Sequence, residues 1–106
     1  MGAKRRINGR SGMASPWRRR RMCVLVSGRA TPAALRQVSA VAAFVETAAR
    51  PRLGARVELR HPEAGAIEGR VKAVAADGIA IAFRHGERSV AFALAAIAAD
   101  MTQPED

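Results

Sequence analysis

The chain has 106 residues, enough to build one hydrophobic core but not two, so a catalytic domain beside a binding domain is not expected within it. Apolar residues make up 49%, as in ordinary globular chains, but much of that share is alanine. A few Val, Ile, Leu and Phe side chains must therefore carry the core, and modest stability is expected. The formal charge of +9 is unevenly spread: residues 1–45 hold ten Lys/Arg and no acid, whereas residues 46–106 hold eight basic and nine acidic groups.

That asymmetry points to an anionic partner for the N-terminal half, whether nucleotide, nucleic acid or membrane surface. No apolar run approaches the ~20 residues that cross a bilayer, so no membrane span is expected. The basic start lacks the apolar stretch of a secretory signal, which leaves a cytoplasmic protein as the expectation.

Residues 1–21, MGAKRRINGRSGMASPWRRRR, mix arginines with Gly, Ser, Asn and Pro and hold few large apolar groups. Nothing there offsets the entropy of ordering the backbone, so a flexible arginine-rich arm is predicted. Met13 and Met22 offer alternative starts that would shorten or delete it. Residues 22–102 are assigned to one β-barrel domain with a C-terminal helix, and residues 103–106 to a frayed acidic tail.

Met22 to Thr31 reads as the first core strand, ended at Thr31-Pro32 because proline cannot join an inner ladder. Cys23 cannot form an internal disulfide and is expected in the core as a small hydrophobe. Pro32 to Leu35 becomes a short connection, although Pro32 to Ala43 also reads as an alanine-rich helix with proline near its start.

Arg36 to Pro62 reads as strand, loop and strand, with Ser39 at the entrance. Val38, Val41, Phe44 and Val45 supply β-forming side chains, and Pro51 and Gly54 mark the crossing. Val57 and Leu59 then alternate with Arg56, Glu58 and Arg60, which gives that strand one wet face. Such alternation belongs to an antiparallel sheet curled round one core.

A turn at Glu63-Ala64-Gly65 leads to two alternating runs, Ile67 to Ala75 and Ile79 to Phe83, joined by Ala76-Asp77-Gly78. Asp-Gly between alternating runs is a strong hairpin signal, since both residues accept positive φ. Val71, Ala73 and Ala75 on one run, and Ile79, Ile81 and Phe83 on the other, would line the core. After a turn at His85-Gly86 the apolar period changes from 2 to 3.6. Val90, Leu94, Ile97 and Met101 fall at i, i+4, i+7 and i+11, one helical stripe that would cap the barrel from Ser89 to Met101, with Ser89 as N-cap.

Catalysis lacks its usual partners. His61, His85 and Cys23 show no metal-ligand spacing, and no motif ties Ser39 to a histidine and an acid. Neither enzyme activity nor a metal or cofactor is expected. Arginine is the chemical theme: a guanidinium pairs bidentately with phosphate, forks onto guanine O6/N7 and stacks on purines.

Gln37-Val38-Ser39-Ala40-Val41-Ala42, followed by Phe44-Val45-Glu46-Thr47 and the Leu53-Gly54 turn, resembles the PilZ domain family, whose members bind cyclic di-GMP. In that family a strand opens with Asp/Asn-x-Ser-x-x-Gly, then a hydrophobic pair and often Glu-Thr, and a Leu-Gly turn enters the next strand. The resemblance covers about residues 18–101. It implies a mainly β fold, a small six-stranded antiparallel barrel with a C-terminal α-helix. It also implies a cyclic di-GMP receptor that passes its signal to a protein effector.

The implied ligand residues are Gln37, Ser39 and Ala42 on the barrel, with arginines from the arm. Family members carry an Arg-x-x-x-Arg pair before the first strand. Here Arg6 and Arg10 have that spacing, while Arg18, Arg19, Arg20 and Arg21 stand closer to the strand. Gln37 keeps a carbonyl acceptor but loses the charge-assisted bond of Asp. Ala42 adds a Cβ where the family has glycine, which matters if positive φ or close ligand approach is required. Two alternatives stay open: a degenerate PilZ-like protein-interaction module without nucleotide, and a nucleic-acid binder using the arm, which has few aromatics on which bases would stack.

Overall fold

Apolar side chains at alternate positions give each strand one face that must leave water, and six such strands close on themselves. A computed structural model describes residues 22–101. It is mainly β: β1 (Met22–Val26), β2 (Ala30–Val38), β3 (Ala42–Glu46), β4 (Arg56–His61), β5 (Gly65–Ala75) and β6 (Gly78–Phe83), followed by α1 (Glu87–Met101). The strands form a closed antiparallel barrel in the order β1-β2-β3-β6-β5-β4. Closure comes from β1 against β4, with Leu25 opposite Leu59, so among the described residues no strand is left as an edge for another chain to extend.

Inside lie Cys23, Leu25, Val45, Val57, Leu59, Ile67, Val71, Ile79, Ile81 and Phe83, with Phe92 from the helix. Leu25, Val45, Leu59, Ile79 and Ile81 are fully enclosed, and each contributes about 1.5–3 kcal/mol from apolar surface removed from water. Val57 and Leu59 point inward while Arg56 and Arg60 are exposed, as the alternation predicts. Cys23 is buried in the core.

The N-terminal half departs from the sequence reading in ways that move the candidate site. Met22 to Thr31 is not one strand: it breaks at Ser27-Gly28-Arg29, where Gly28 takes φ 83° and the Ser27 N–H donates to the Arg29 carbonyl at 3.0 Å. Pro32 lies within β2 rather than ending a strand. Its carbonyl accepts from the Thr47 hydroxyl at 2.9 Å, which shows the side of the strand that its backbone faces. Pairing with β3 begins only at Ala34, opposite Glu46, so the missing N–H lies beyond the ladder and removes no strand bond. The helical alternative for Pro32 to Ala43 is excluded, because these residues form β2, a tight turn and the start of β3.

Two further differences concern packing. The β5–β6 register shifts between Val71 and Ala73. This bulge inserts Lys72 and turns Ala73 and Ala75 outward, where the uninterrupted period had placed them inside. Gly78 is needed for space rather than for positive φ: a Cβ there would collide with the Val45 carbonyl oxygen.

The helix begins at Glu87, and Gly86 rather than Ser89 precedes it. Ser89 is fully buried in the first turn, its Oγ accepting from the Gly86 N–H and donating to the Gly86 carbonyl, each at 3.0 Å. This resembles the returning half of a capping box. The face turned to the barrel carries Ser89, Phe92, Ala93 and Ala96. Phe92 meets the Phe83 and His61 rings edge-on at centroid distances of 5.8 and 6.0 Å. The predicted stripe Val90, Leu94, Ile97 and Met101 is instead exposed. Alanines at 93 and 96 let the helix approach the barrel mouth closely enough for one phenyl ring to fill it, which a row of bulky aliphatics would prevent.

Candidate functional site at the β2–β3 turn

Ser39 organises the short connection between β2 and β3. Its N–H donates to the Ala42 carbonyl at 2.8 Å, and its Oγ accepts from the N–H groups of Val41 and Ala42, both at 3.2 Å. The hydroxyl lies 3.4 Å from the Ala42 carbonyl oxygen. A serine supplies this local closure because its short side chain reaches backbone groups two and three residues ahead. The Phe83 N–H then donates to the Val41 carbonyl at 2.8 Å, tying the turn to the end of β6.

The barrel residues singled out from the sequence come together here. Gln37 is exposed near the end of β2, paired across the ladder with Phe44. Ser39 is exposed in the turn. Ala42 opens β3, half-buried and paired with Ala82. A residue in register within a ladder has extended backbone, so position 42 makes no demand for positive φ and the alanine Cβ is accommodated.

The arm residues Arg6, Arg10, Arg18, Arg19, Arg20 and Arg21 lie outside the described residues. The described chain enters at Met22, paired with Ala34. From Ala34, β2 runs toward the Ser39 turn, which lies about 16 Å further along at the usual strand rise. The start of β1 is thus level with Ala34 and Glu46, at the end of β3, while the Ser39 turn lies beside the start of β3 and the end of β6.

The geometry also divides the barrel's own arginines. Arg36 sits where the β2–β3 register shifts between Leu35 and Gln37. Its guanidinium carbon stacks 5.3 Å from the Phe44 ring centroid, and Nη1 bridges Glu46 at 3.2 Å and Asp77 at 3.0 Å. Arg50 donates to the carbonyls of Thr47, Ala49 and Ala76, at 2.8, 2.8 and 2.6 Å, and so ties the β3–β4 loop to the β5–β6 turn. Both are structural. Arg56 and Arg70 face each other directly across β4 and β5 on the exposed wall, Arg70 also donating to the Gly54 carbonyl at 3.0 Å. Glu58 and Glu68 form the next cross-strand pair, so the wall carries mixed charge.

His61 has a structural task as well: its Nδ1 accepts from the N–H groups of Glu63 and Ala64, both at 3.0 Å, closing the β4–β5 turn. Nδ1 as acceptor places the ring proton on Nε2. Among the described residues no group of three or more His, Cys, Asp or Glu side chains is arranged to hold a metal ion.

An open groove of about 310 Å³ runs along the outside of β1, β2 and β3, with Met22, Pro32 and Ala34 as apolar lining and Glu46 as the charged member. The sequence reading did not find it. The small side chains of Pro32 and Ala34 beside exposed Met22 are its signal, but only the β1–β2 pairing puts them side by side. Compared with known proteins, the chain matches no family model, no curated protein and no solved structure.

Proposed function

We propose that this chain is a PilZ-like binding domain that takes cyclic di-GMP at the Ser39 turn, with guanidinium groups reaching it from the residues that precede β1, and relays its occupancy to a protein effector. The observation that carries the reading is the position of Gln37, Ser39 and Ala42. Ser39 lies on the β2–β3 turn, and Gln37 and Ala42 stand on the strands at either side of it, in a closed six-stranded barrel with a C-terminal helix. The Gln37 amide would meet a guanine edge, and the turn would present the base to the solvent side. The arginine-rich residues 18–21, directly before β1, would supply guanidinium groups for the two phosphates.

A second reading, a protein-interaction module without nucleotide, is favoured by the Ser39 hydroxyl. It already accepts two backbone N–H groups and points at a carbonyl, which leaves it little capacity for a ligand. Calorimetric titration of the full chain with cyclic di-GMP, GTP and a random DNA duplex separates the readings. Saturable heat with cyclic di-GMP alone is expected, lost when Arg18, Arg19, Arg20 and Arg21 are together replaced by Ala, and strengthened by Gln37→Asp with Ala42→Gly. No cyclic di-GMP heat from the parent or from that restored variant would leave the interaction module, and heat with DNA alone would point to the arm as a nucleic-acid binder.

A further inference from the structure

Helix α1 is apolar on more than the face it buries. Val90, Leu94, Ile97 and Met101 are 36%, 63%, 42% and 78% exposed, and their stripe lies roughly 120° round the helix from the Phe92 face at 100° per residue. Exposed Ala91 and Ala98 flank it. Between Ser89 and Ala99 the helix carries no charge. A surface helix normally turns a polar face to water, and one that is apolar on several faces is normally covered.

The spacing says what covers it. Steps of four, three and four residues follow the heptad of a helix–helix seam, and the series reads the same in both directions. One two-fold axis between residues 95 and 96 therefore sets Leu94 against Ile97 of a second copy and Val90 against Met101, so every knob of the stripe finds a partner within itself. That self-complementarity is what an isologous two-fold contact requires. The charges at the helix ends select the direction. Arg84 and Arg88 outnumber Glu87 around its start, and Asp100 stands in its last turn. Antiparallel pairing brings each acidic end to the basic, dipole-positive start of the other helix, whereas parallel pairing opposes like charges. Alanines at the flanking positions allow close interaxial approach.

We infer that the outer stripe of α1 is a seam for a second copy of this chain, giving an antiparallel two-fold dimer held by Val90, Leu94, Ile97 and Met101. The inference does not depend on the nucleotide reading. One helix of 15 residues is about 22 Å long, and such a seam buries less than the ~1,200 Å² typical of stable complexes, so the dimer is weak and concentration-dependent.

Sedimentation equilibrium of the full chain, at physiological salt so that repulsion between cationic copies is screened, tests this over about a hundredfold range of concentration. The expected result is a monomer–dimer equilibrium that Leu94→Glu with Ile97→Glu weakens by more than about tenfold, with far-UV dichroism and the thermal midpoint unchanged because both positions are exposed. Val90→Cys chains mixed with Met101→Cys chains should cross-link to each other on mild oxidation, and Val90→Cys chains alone should not. A monomer at every concentration, a double-Glu variant that associates like the parent, or self-cross-linking of Val90→Cys would each overturn the inference.

Discussion

Individual side chains in this barrel are defined by what they hold in place. Gly78 is the sharpest case, because any Cβ would drive into the β3 backbone at Val45. Gly78→Ala should cost more than about 2 kcal/mol in urea unfolding, since a backbone atom cannot give way as a flexible side chain can. An unchanged midpoint would mean that β3 and β6 separate easily. Arg50 joins three carbonyls from two loops, yet it is partly solvated, which reduces its worth. Arg50→Ala is expected to cost about 1 kcal/mol, and Arg50→Lys should recover little of it, because an ammonium lacks the fork that spans them. Ser39→Ala should destabilise by about 0.5–1.5 kcal/mol through loss of its turn bonds. A stability loss without any change in ligand binding would identify the hydroxyl as purely a turn former.

Among the secondary-structure elements, α1 shows most clearly how a sequence pattern misleads. Two stripes satisfy helical periodicity, one of large aliphatics and one of Phe92 with small residues, and hydrophobicity alone favours the first. The barrel mouth selects the second, because alanines permit close approach and a single ring meets Phe83 and His61. Phe92→Ala should therefore cost about 3–5 kcal/mol. Leu94→Ala, measured on dilute protein, should change stability by less than about 0.5 kcal/mol, as for an exposed site. Equal losses at both positions in parallel thermal melts would contradict this docking. The β1–β2 hairpin was legible in principle: Ser27-Gly28 is a turn-forming dipeptide, and reading past it produced one strand where there are two.

As a whole, the described part of the molecule is a closed ring of antiparallel pairs round one buried core. Deleting residues 1–21 should leave a cooperative unfolding transition, with the stability altered by less than about 1 kcal/mol, while any binding of a polyanion falls sharply because most of the surplus positive charge goes with them. Loss of cooperative unfolding in the truncated chain would show that those residues support the fold. Charge is thus separated from fold: the barrel wall balances Arg56 and Arg70 with Glu58 and Glu68, and the excess lies in the segment that enters β1.

The sequence alone determined the barrel's character, its inward residues on β4 and β6, the Asp77-Gly78 hairpin and the helix after His85-Gly86, because local alternation and turn chemistry act over a few residues. It also brought Gln37, Ser39 and Ala42 to notice as a unit. Only tertiary structure decided that these three straddle a turn between two strands rather than opening a single strand, since the break depends on β3 finding β6 and on Ser39 bonding its own backbone. Tertiary structure likewise decided that Pro32 sits harmlessly within a strand, that Lys72 bulges and turns its followers outward, and that the largest aliphatics of α1 face away from the core. Each of these depends on which surface another part of the chain offers, and periodicity within one segment carries no information about that surface.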